Sequence, residues 1–231
     1  MDAWIEPTEQ SPECRRWDVP GGPIEALVEP GALRLRAPHR PDHLVPASAE
    51  VRVYLTLGDD EVVARLPEPF LLRPRVRTNL WLSWPLAAKV LVDDTELMQV
   101  RRGQRLTMLG PVDAGRLLPG VPVTLLDRPS DAPPDCAALQ LSLVSEAVTP
   151  VEVRRVAFRE AALSLVRRGD VLLAGELWLI ARGDDRLESR CLRMSTAAGE
   201  ELVRPGDAYA DTGRGLKWWL DGTMRSIGVA R

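Results

Sequence analysis

Two histidines and a carboxylate lie close together in the first third of the chain, at His39, Asp42 and His43. Imidazole nitrogens and carboxylate oxygens are ligands that zinc and other transition metals accept. Because Pro38 and Pro41 interrupt any regular helix here, the spacing does not place both imidazoles on one helical face. The three residues are therefore a candidate metal site only if the fold completes it, and a solvated loop is the favoured interpretation.

Three pairs of adjacent aspartates, Asp59-Asp60, Asp93-Asp94 and Asp184-Asp185, could bind calcium or act as general acid and base. Each pair lies in a predicted turn, where aspartate is favoured for backbone reasons alone. The sequence contains no nucleophile elbow, phosphate-binding loop or dinucleotide-binding motif. We therefore assign no catalytic residue, predict no cofactor, and favour a non-enzymatic role.

A stripe of alternating arginines, Arg73, Arg75 and Arg77, precedes Trp81 and Trp84. Arginines hold phosphates and indoles stack on bases, so this arrangement is typical of a surface that binds single-stranded nucleic acid. The whole chain has 30 basic and 33 acidic residues, with a net charge of −3, which gives no general attraction to nucleic acid or anionic lipid. Nucleic-acid binding is therefore a minor alternative.

The last segment of the chain, 214–231, has apolar residues at helical spacing and is predicted to form an amphipathic helix. Trp218 lies beside the main apolar stripe, so this residue and Trp219 cannot both face one core. One of the two indoles is expected at an interface with a second copy of the chain, with another protein or with a membrane surface. Docking of the helix onto the β-sandwich of its own chain is the favoured interpretation. The predicted interaction residues are Leu216, Trp218, Trp219, Leu220, Met224 and Ile227.

Most of the remaining chain alternates apolar and polar residues between turn residues, as strands with one buried face do. Leu33-Arg34-Leu35-Arg36 is a clear example, and Gly58-Asp59-Asp60 and Gly169-Asp170 are predicted hairpin turns. Many short strands at this spacing predict an all-β fold, a β-sandwich with a single C-terminal α-helix. The expected domains are an irregular N-terminal arm at 1–23, a β subdomain at 24–128, a second β subdomain or continuation of the same sandwich at 129–213, and the helix at 214–231.

Cysteine usage and the N-terminal sequence indicate the cellular compartment. The three cysteines, Cys14, Cys136 and Cys191, are widely spaced and form no C-x-x-C pair, which fits a reducing environment. The N-terminus lacks a basic segment followed by an apolar run, and no stretch approaches the roughly 20 apolar residues of a membrane span. A cytoplasmic protein is expected.

Several strings of this sequence together suggest a family. Leu33–Arg36 reads as a strand, Pro38–Pro46 as a proline-bounded loop, and Val51–Leu55 as the next strand, with Lys89 in a later β segment and Val151–Phe158 as a later strand. In these features the chain resembles the uncharacterised family called domain of unknown function 432. The resemblance implies an all-β domain over most of residues 24–194 and no assigned activity.

These observations favour a non-catalytic binding or scaffold protein that acts through protein–protein contacts as a homo-oligomer. The first alternative is an enzyme or binding protein with a metal or small ligand in a pocket between sheets, its polar groups supplied by His39, His43 and the aspartate pairs. The second alternative is single-stranded nucleic-acid binding through the three arginines.

Overall fold

The computed structural model of the chain describes residues 4–101, 105–109, 116–182, 186–192, 196–206 and 216–219. These residues are mostly in strands and contain no α-helix, which confirms the all-β prediction. They also include two short 3₁₀ helices, Pro129–Asp131 and Glu160–Ala162. In chain order the strands are β1 (Glu9–Gln10), β2 (Cys14–Trp17), β3 (Ile24–Glu29), β4 (Ala32–Arg36), β5 (His43–Pro46), β6 (Val51–Thr56), β7 (Glu61–Leu72), β8 (Arg77–Pro85), β9 (Ala87–Val92), β10 (Thr95–Val100), β11 (Arg105–Leu109), β12 (Arg116–Pro122), β13 (Thr124–Leu126), β14 (Cys136–Ser145), β15 (Val151–Arg159), β16 (Leu165–Arg168), β17 (Val171–Arg182), β18 (Arg186–Leu192), β19 (Glu200–Arg204) and β20 (Leu216–Trp219).

The chain divides into two compact units, each built from separate stretches of sequence. The first unit consists of Met1–Gly58 and Pro85–Gly103, and the second of Asp59–Trp84 and Gln104–Arg231. The predicted subdomain at 24–128 therefore contributes strands to both units.

The first unit contains two antiparallel sheets that share one core. Strands β1 to β5 form a five-stranded meander in sequence order, and β10, β9 and β6 form a three-stranded sheet. Alternate residues of each strand point inward, so Trp17, Ile24 and Leu35 of the first sheet lie in one cluster with Val53 and Val90 of the second. The stretch that the sequence suggests is an irregular arm contributes β1 and β2 to this unit.

Turn chemistry determines one hairpin of this unit and fails to predict another. Asp93 and Asp94 have positive φ angles of 47° and 64° and join β9 to β10, in agreement with the predicted turn. The predicted hairpin at Gly58-Asp59-Asp60 is wrong, because β6 pairs with β9 and β7 belongs to the second unit. Local turn residues mark where a strand ends but do not choose its partner.

The second unit contains a four-stranded sheet and an eight-stranded sheet. The first has the order β11-β12-β7-β15. The second has the order β13-β8-β14-β17-β16-β19, with β18 pairing with β17 and β20 pairing with β18. The predicted Gly169-Asp170 hairpin joins β16 to β17, with Gly169 at φ 58°. In the core of this unit Trp84 is fully buried, and its ring centroid lies 5.0 Å from that of Phe158.

The predicted C-terminal helix is not observed where the structure describes this segment. Leu216–Trp219 instead forms β20, antiparallel to β18, with Trp218 opposite Leu187 and Trp219 opposite Arg186. Aromatic residues favour strands, and the edge of β18 supplies the backbone partners, so pairing overrides the helical spacing. Leu220, Met224 and Ile227 lie outside the described residues. Within the described ranges, no helix is long and apolar enough to span a membrane.

Candidate functional site

The first unit contains an open cavity of about 320 Å³, here called the inter-sheet pocket. Three stretches line it: the N-terminal segment 4–7, the β1–β2 hairpin, and residues 50–52 at the start of β6. Because β2 belongs to the five-stranded sheet and β6 to the three-stranded sheet, the pocket lies where the two sheets approach each other.

The N-terminal segment connects the two sheets. The Ile5 N–H donates to the Val53 carbonyl at 2.8 Å, which attaches the segment to β6. The Thr8 N–H donates to the Arg16 carbonyl at 2.7 Å, which attaches it to β2. Pro7 lies between these two attachments and has no N–H to satisfy, so the chain can cross from one sheet edge to the other there.

Two tryptophans hold this segment in place. Trp17 is 2% exposed, and its Nε1–H donates to the Ile5 carbonyl at 3.1 Å. Trp4 lies edge-on to Tyr54, with ring centroids 5.5 Å apart. The Arg52 guanidinium lies 5.2 Å from the centroid of the Trp4 ring and makes a cation–π contact with that ring.

The charged groups of the pocket differ in how they are paired. Arg52 is neutralised by Glu50 at 2.7 Å and Asp94 at 3.1 Å. Arg15 is half-buried, lines the pocket, and makes no ion pair with any residue that the structure describes.

The position of Arg15 in β2 explains its orientation. In β2 alternate side chains share a face, so Arg15 lies on the same inner face as buried Trp17. Its cross-strand neighbour in β3 is Ala26, which is fully buried. Arg16 lies on the opposite face and pairs with Asp18 at 3.1 Å, a hydrogen bond that raises the pKa of Arg16. A cation on the inner face of a sheet, without a carboxylate partner, is suited to an anionic ligand.

The side chains that line the pocket indicate which contacts it can offer. Its side chains are indoles, guanidinium groups, carboxylates, an amide and apolar groups. These groups can stack on a ligand, pair with its charges and exclude water from its apolar parts. Sequence reasoning missed Trp4, Arg15, Trp17 and Arg52 as site residues. The available signal was the alternation of Arg15-Arg16-Trp17, which places one arginine on the same side as a core tryptophan.

The predicted metal residues lie elsewhere in the first unit. His39 is exposed, with a φ of 58°, and His43 is half-buried in β5. One Asp42 oxygen lies 3.5 Å from both Arg34 and Arg36. Among the residues with described positions, no group of three His, Cys, Asp or Glu side chains could hold a metal ion.

The predicted nucleic-acid residues lie in the second unit. Arg73, Arg75 and Arg77 are all exposed. The Arg77 guanidinium stacks 4.4 Å from the centroid of the Trp178 ring and lies 3.6 Å from Glu176. Of the three arginines, Arg77 thus contacts Trp178, a residue that sequence reasoning did not select.

The two tryptophans that accompany this stripe in the sequence lie deeper. Trp81 is half-buried, and Trp84 is fully buried in the core. Glu176, beside Arg77, also accepts a hydrogen bond from Ser142 at 2.5 Å. This surface thus carries both an arginine and a carboxylate that is already hydrogen-bonded.

No family model, no curated protein and no solved structure matches this chain.

Proposed function

We propose that this protein is a non-catalytic binding module of β-sandwich type, which takes an extended segment of a partner protein at the inter-sheet pocket. The observation that carries the proposal is the edge of β6. Strand β9 pairs with one side of β6, and on the other side Trp4 bridges to Tyr54 and the Ile5 N–H donates to the Val53 carbonyl. Val51, at the start of β6, lines the pocket, and no described strand pairs with this edge there.

An open strand edge beside aromatic and charged side chains suits an extended peptide. Main-chain hydrogen bonds to the edge supply affinity, and the neighbouring pocket selects alternate side chains of the peptide. Trp4 and the paired Arg52 form one wall of this site, and Arg15 forms another. This arrangement supports recognition of a protein segment more directly than a reaction at a fixed centre.

Site-specific photo-cross-linking tests the proposal. The photo-reactive residue p-benzoylphenylalanine replaces Glu6, which is exposed and lines the pocket, in the full chain inside its own cells. We expect a covalent adduct whose partner segment is identified by mass spectrometry. The same segment, synthesised, should bind the purified chain with one-to-one stoichiometry by titration calorimetry.

The matched control carries the photo-reactive residue at Leu44, which is 64% exposed and lies in β5 outside the pocket. We expect no adduct with the same segment there. Equal labelling from both positions, or a synthesised segment that does not bind, would overturn the proposal.

A small ligand in the same pocket is a second candidate function. A volume of about 320 Å³ lies at the lower end of the range for small-molecule sites, about 300–1,000 Å³. Native mass spectrometry of the chain purified gently from its own host distinguishes the two functions. A stoichiometric small-molecule adduct, lost when Trp4 is replaced by alanine, would favour the small ligand.

Self-association through the C-terminal segment and a cytoplasmic location stay separate predictions. Light scattering on the chain without residues 214–231 tests the first. An unchanged mass per particle would count against a homo-oligomer that forms through this segment.

A further inference from the structure

Beside the inter-sheet pocket, β6 carries backbone groups that no described strand pairs with. In an antiparallel ladder, the N–H and C=O groups of alternate residues point to the same neighbouring strand. The Val53 carbonyl points to the N-terminal segment, where it accepts from Ile5. The backbone groups of Val51, two residues earlier in β6, therefore point to the same side, where no strand pairs with them among the described residues.

This stretch of edge is closed at one end. Ile5 already occupies the position beside Val53, and the Trp17 indole fixes Ile5 through its carbonyl. A peptide strand that pairs with Val51 cannot continue along β6 without displacing this segment. An added strand therefore has to end inside the pocket, which favours a chain terminus over an internal segment.

The half-buried Arg15 defines which terminus the pocket fits. The other arginine of the pocket, Arg52, is already paired with Glu50 and Asp94. Arg15 lies on the inner face of β2 and forms no ion pair with a carboxylate among the described residues. A guanidinium binds a carboxylate through two parallel hydrogen bonds, and partial burial strengthens such a pair. The pocket also contains two carboxylates. Glu50 is paired with Arg52, and Glu6 is exposed to solvent, which weakens its field.

We infer that the inter-sheet pocket captures the C-terminal carboxylate of a partner protein, with the last residues of the partner paired to β6 at Val51 and the carboxylate bound by Arg15. This inference rests on the proposed function and adds to it the end of the partner chain that is recognised. It combines strand addition with terminal-carboxylate capture, each of which is a general mode of peptide recognition.

A two-format display selection with the purified full chain tests the inference. The probe is a library of random seven-residue peptides, presented once with free C-termini and once with free N-termini. We expect enrichment only from the format with free C-termini. Enriched peptides are then synthesised as free acids and as C-terminal amides, and their affinities are compared by fluorescence polarisation.

Amidation should weaken binding about 10-fold or more, since it removes the charge that pairs with a partly buried arginine. Arg15→Gln should weaken binding of the free acid by a similar factor. The matched control is Arg16→Gln, on the opposite face of the same strand, which should stay within about twofold of the unmodified chain. In ¹⁵N-labelled protein, the free acid should shift the amide resonance of Val51, a readout that a purely structural role of Arg15 would leave unchanged.

Three outcomes would overturn the inference. Enrichment only from free N-termini would indicate an amine site at Glu6. Enrichment from both formats with one fixed acidic residue would indicate a side-chain carboxylate as the ligand. Peptides that bind equally well after amidation, and equally well to the Arg15→Gln variant, would show that the pocket does not recognise a carboxylate. The cross-linking result at position 6 decides the broader proposed function independently of all three.

Discussion

The indole Nε1–H of Trp84 donates a hydrogen bond to the Oε1 atom of Glu160 at 2.7 Å, and neither residue is exposed to solvent. Trp84 lies in the buried second half of β8, whereas Glu160 begins the 3₁₀ helix after β15. The bond therefore joins two elements that are 76 residues apart in sequence. Loss of a hydrogen bond to a buried carboxyl group is unfavourable, so this contact should contribute strongly to the stability of the second unit.

Trp84→Phe tests this contact. The substitution keeps an aromatic ring beside Phe158 but removes the donor to Glu160 and leaves part of the indole volume empty. We expect the free energy of unfolding in guanidinium chloride to fall by about 2–4 kcal/mol, the combined effect of a lost buried hydrogen bond and a small cavity. Trp81→Phe, at a half-buried position of the same strand, should lower it by less than about 1 kcal/mol. Equal effects at the two positions would contradict the role of the hydrogen bond.

Trp17→Phe should loosen the N-terminal segment that forms one wall of the pocket. The phenyl ring cannot donate to the Ile5 carbonyl, which now accepts from Trp17 Nε1 at 3.1 Å. A neutral hydrogen bond contributes about 1 kcal/mol, so we expect the Ile5 amide to exchange with deuterium roughly 5-fold faster. Exchange at Ala88, a buried residue of β9, serves as the internal control and should change far less. A uniform acceleration at both amides would mean that the whole unit has been destabilised instead.

The sequence predicts individual strands well because alternation is a local property. Leu33-Arg34-Leu35-Arg36 forms β4 as expected, since its two leucines face a core and its arginines do not. The Asp93-Asp94 turn is likewise local, because short polar side chains tolerate positive φ. These features need no knowledge of the rest of the chain.

Pairing between distant strands is where sequence reasoning fails. Strand β6 bypasses its neighbour β7 and pairs with β9, which lies more than 30 residues along the chain. Leu216–Trp219 fits a helical spacing over one turn, yet it pairs with the edge of β18. The pocket depends on the same non-local information, because Arg15 becomes a candidate ligand-binding residue only when β6 and the N-terminal segment are placed beside β2.

Asp94→Gly should stabilise the β9–β10 hairpin. Asp94 has a φ of 64°, a left-handed conformation that aspartate tolerates better than most residues but that glycine adopts with less strain, by up to roughly 1 kcal/mol. The substitution removes the ion pair with Arg52, but the Asp94 side chain is 78% exposed and such pairs contribute little. We expect a melting temperature a few degrees higher by differential scanning calorimetry.

Asp93→Gly is the matched comparison for this turn. Asp93 has a similar φ of 47°, but its Oδ1 accepts a hydrogen bond from the Glu50 N–H at 2.9 Å. Loss of this bond should offset the relief of backbone strain, so the melting temperature should stay the same or fall. A gain at position 93 as large as that at position 94 would show that the side-chain bond contributes nothing.

Glu188 in β18 is a largely buried carboxylate held by two arginines. Burial opposes its ionisation, but hydrogen bonds from Arg182 and Arg190, each at 2.7 Å, outweigh burial and lower the pKa of Glu188. Its pKa is therefore lower in the folded chain than in the unfolded chain. The unfolded chain binds more protons through the acid range, so stability rises with pH there.

The stabilisation from ionised Glu188 should be complete above about pH 4.3, the ordinary pKa of glutamate, and should be lost as the pH falls through its lower folded value. Glu188→Gln removes this pH-dependent contribution. We expect the urea midpoint of the variant to lie below that of the unmodified chain at pH 7 and pH 5. This gap between the two midpoints should narrow between pH 4 and pH 3. Glu13→Gln, at an exposed position without a side-chain ion pair among the described residues, should show no such gap at any of these pH values. A gap for Glu188→Gln that stays constant down to pH 3 would mean that its carboxylate contributes through packing alone and not through its charge.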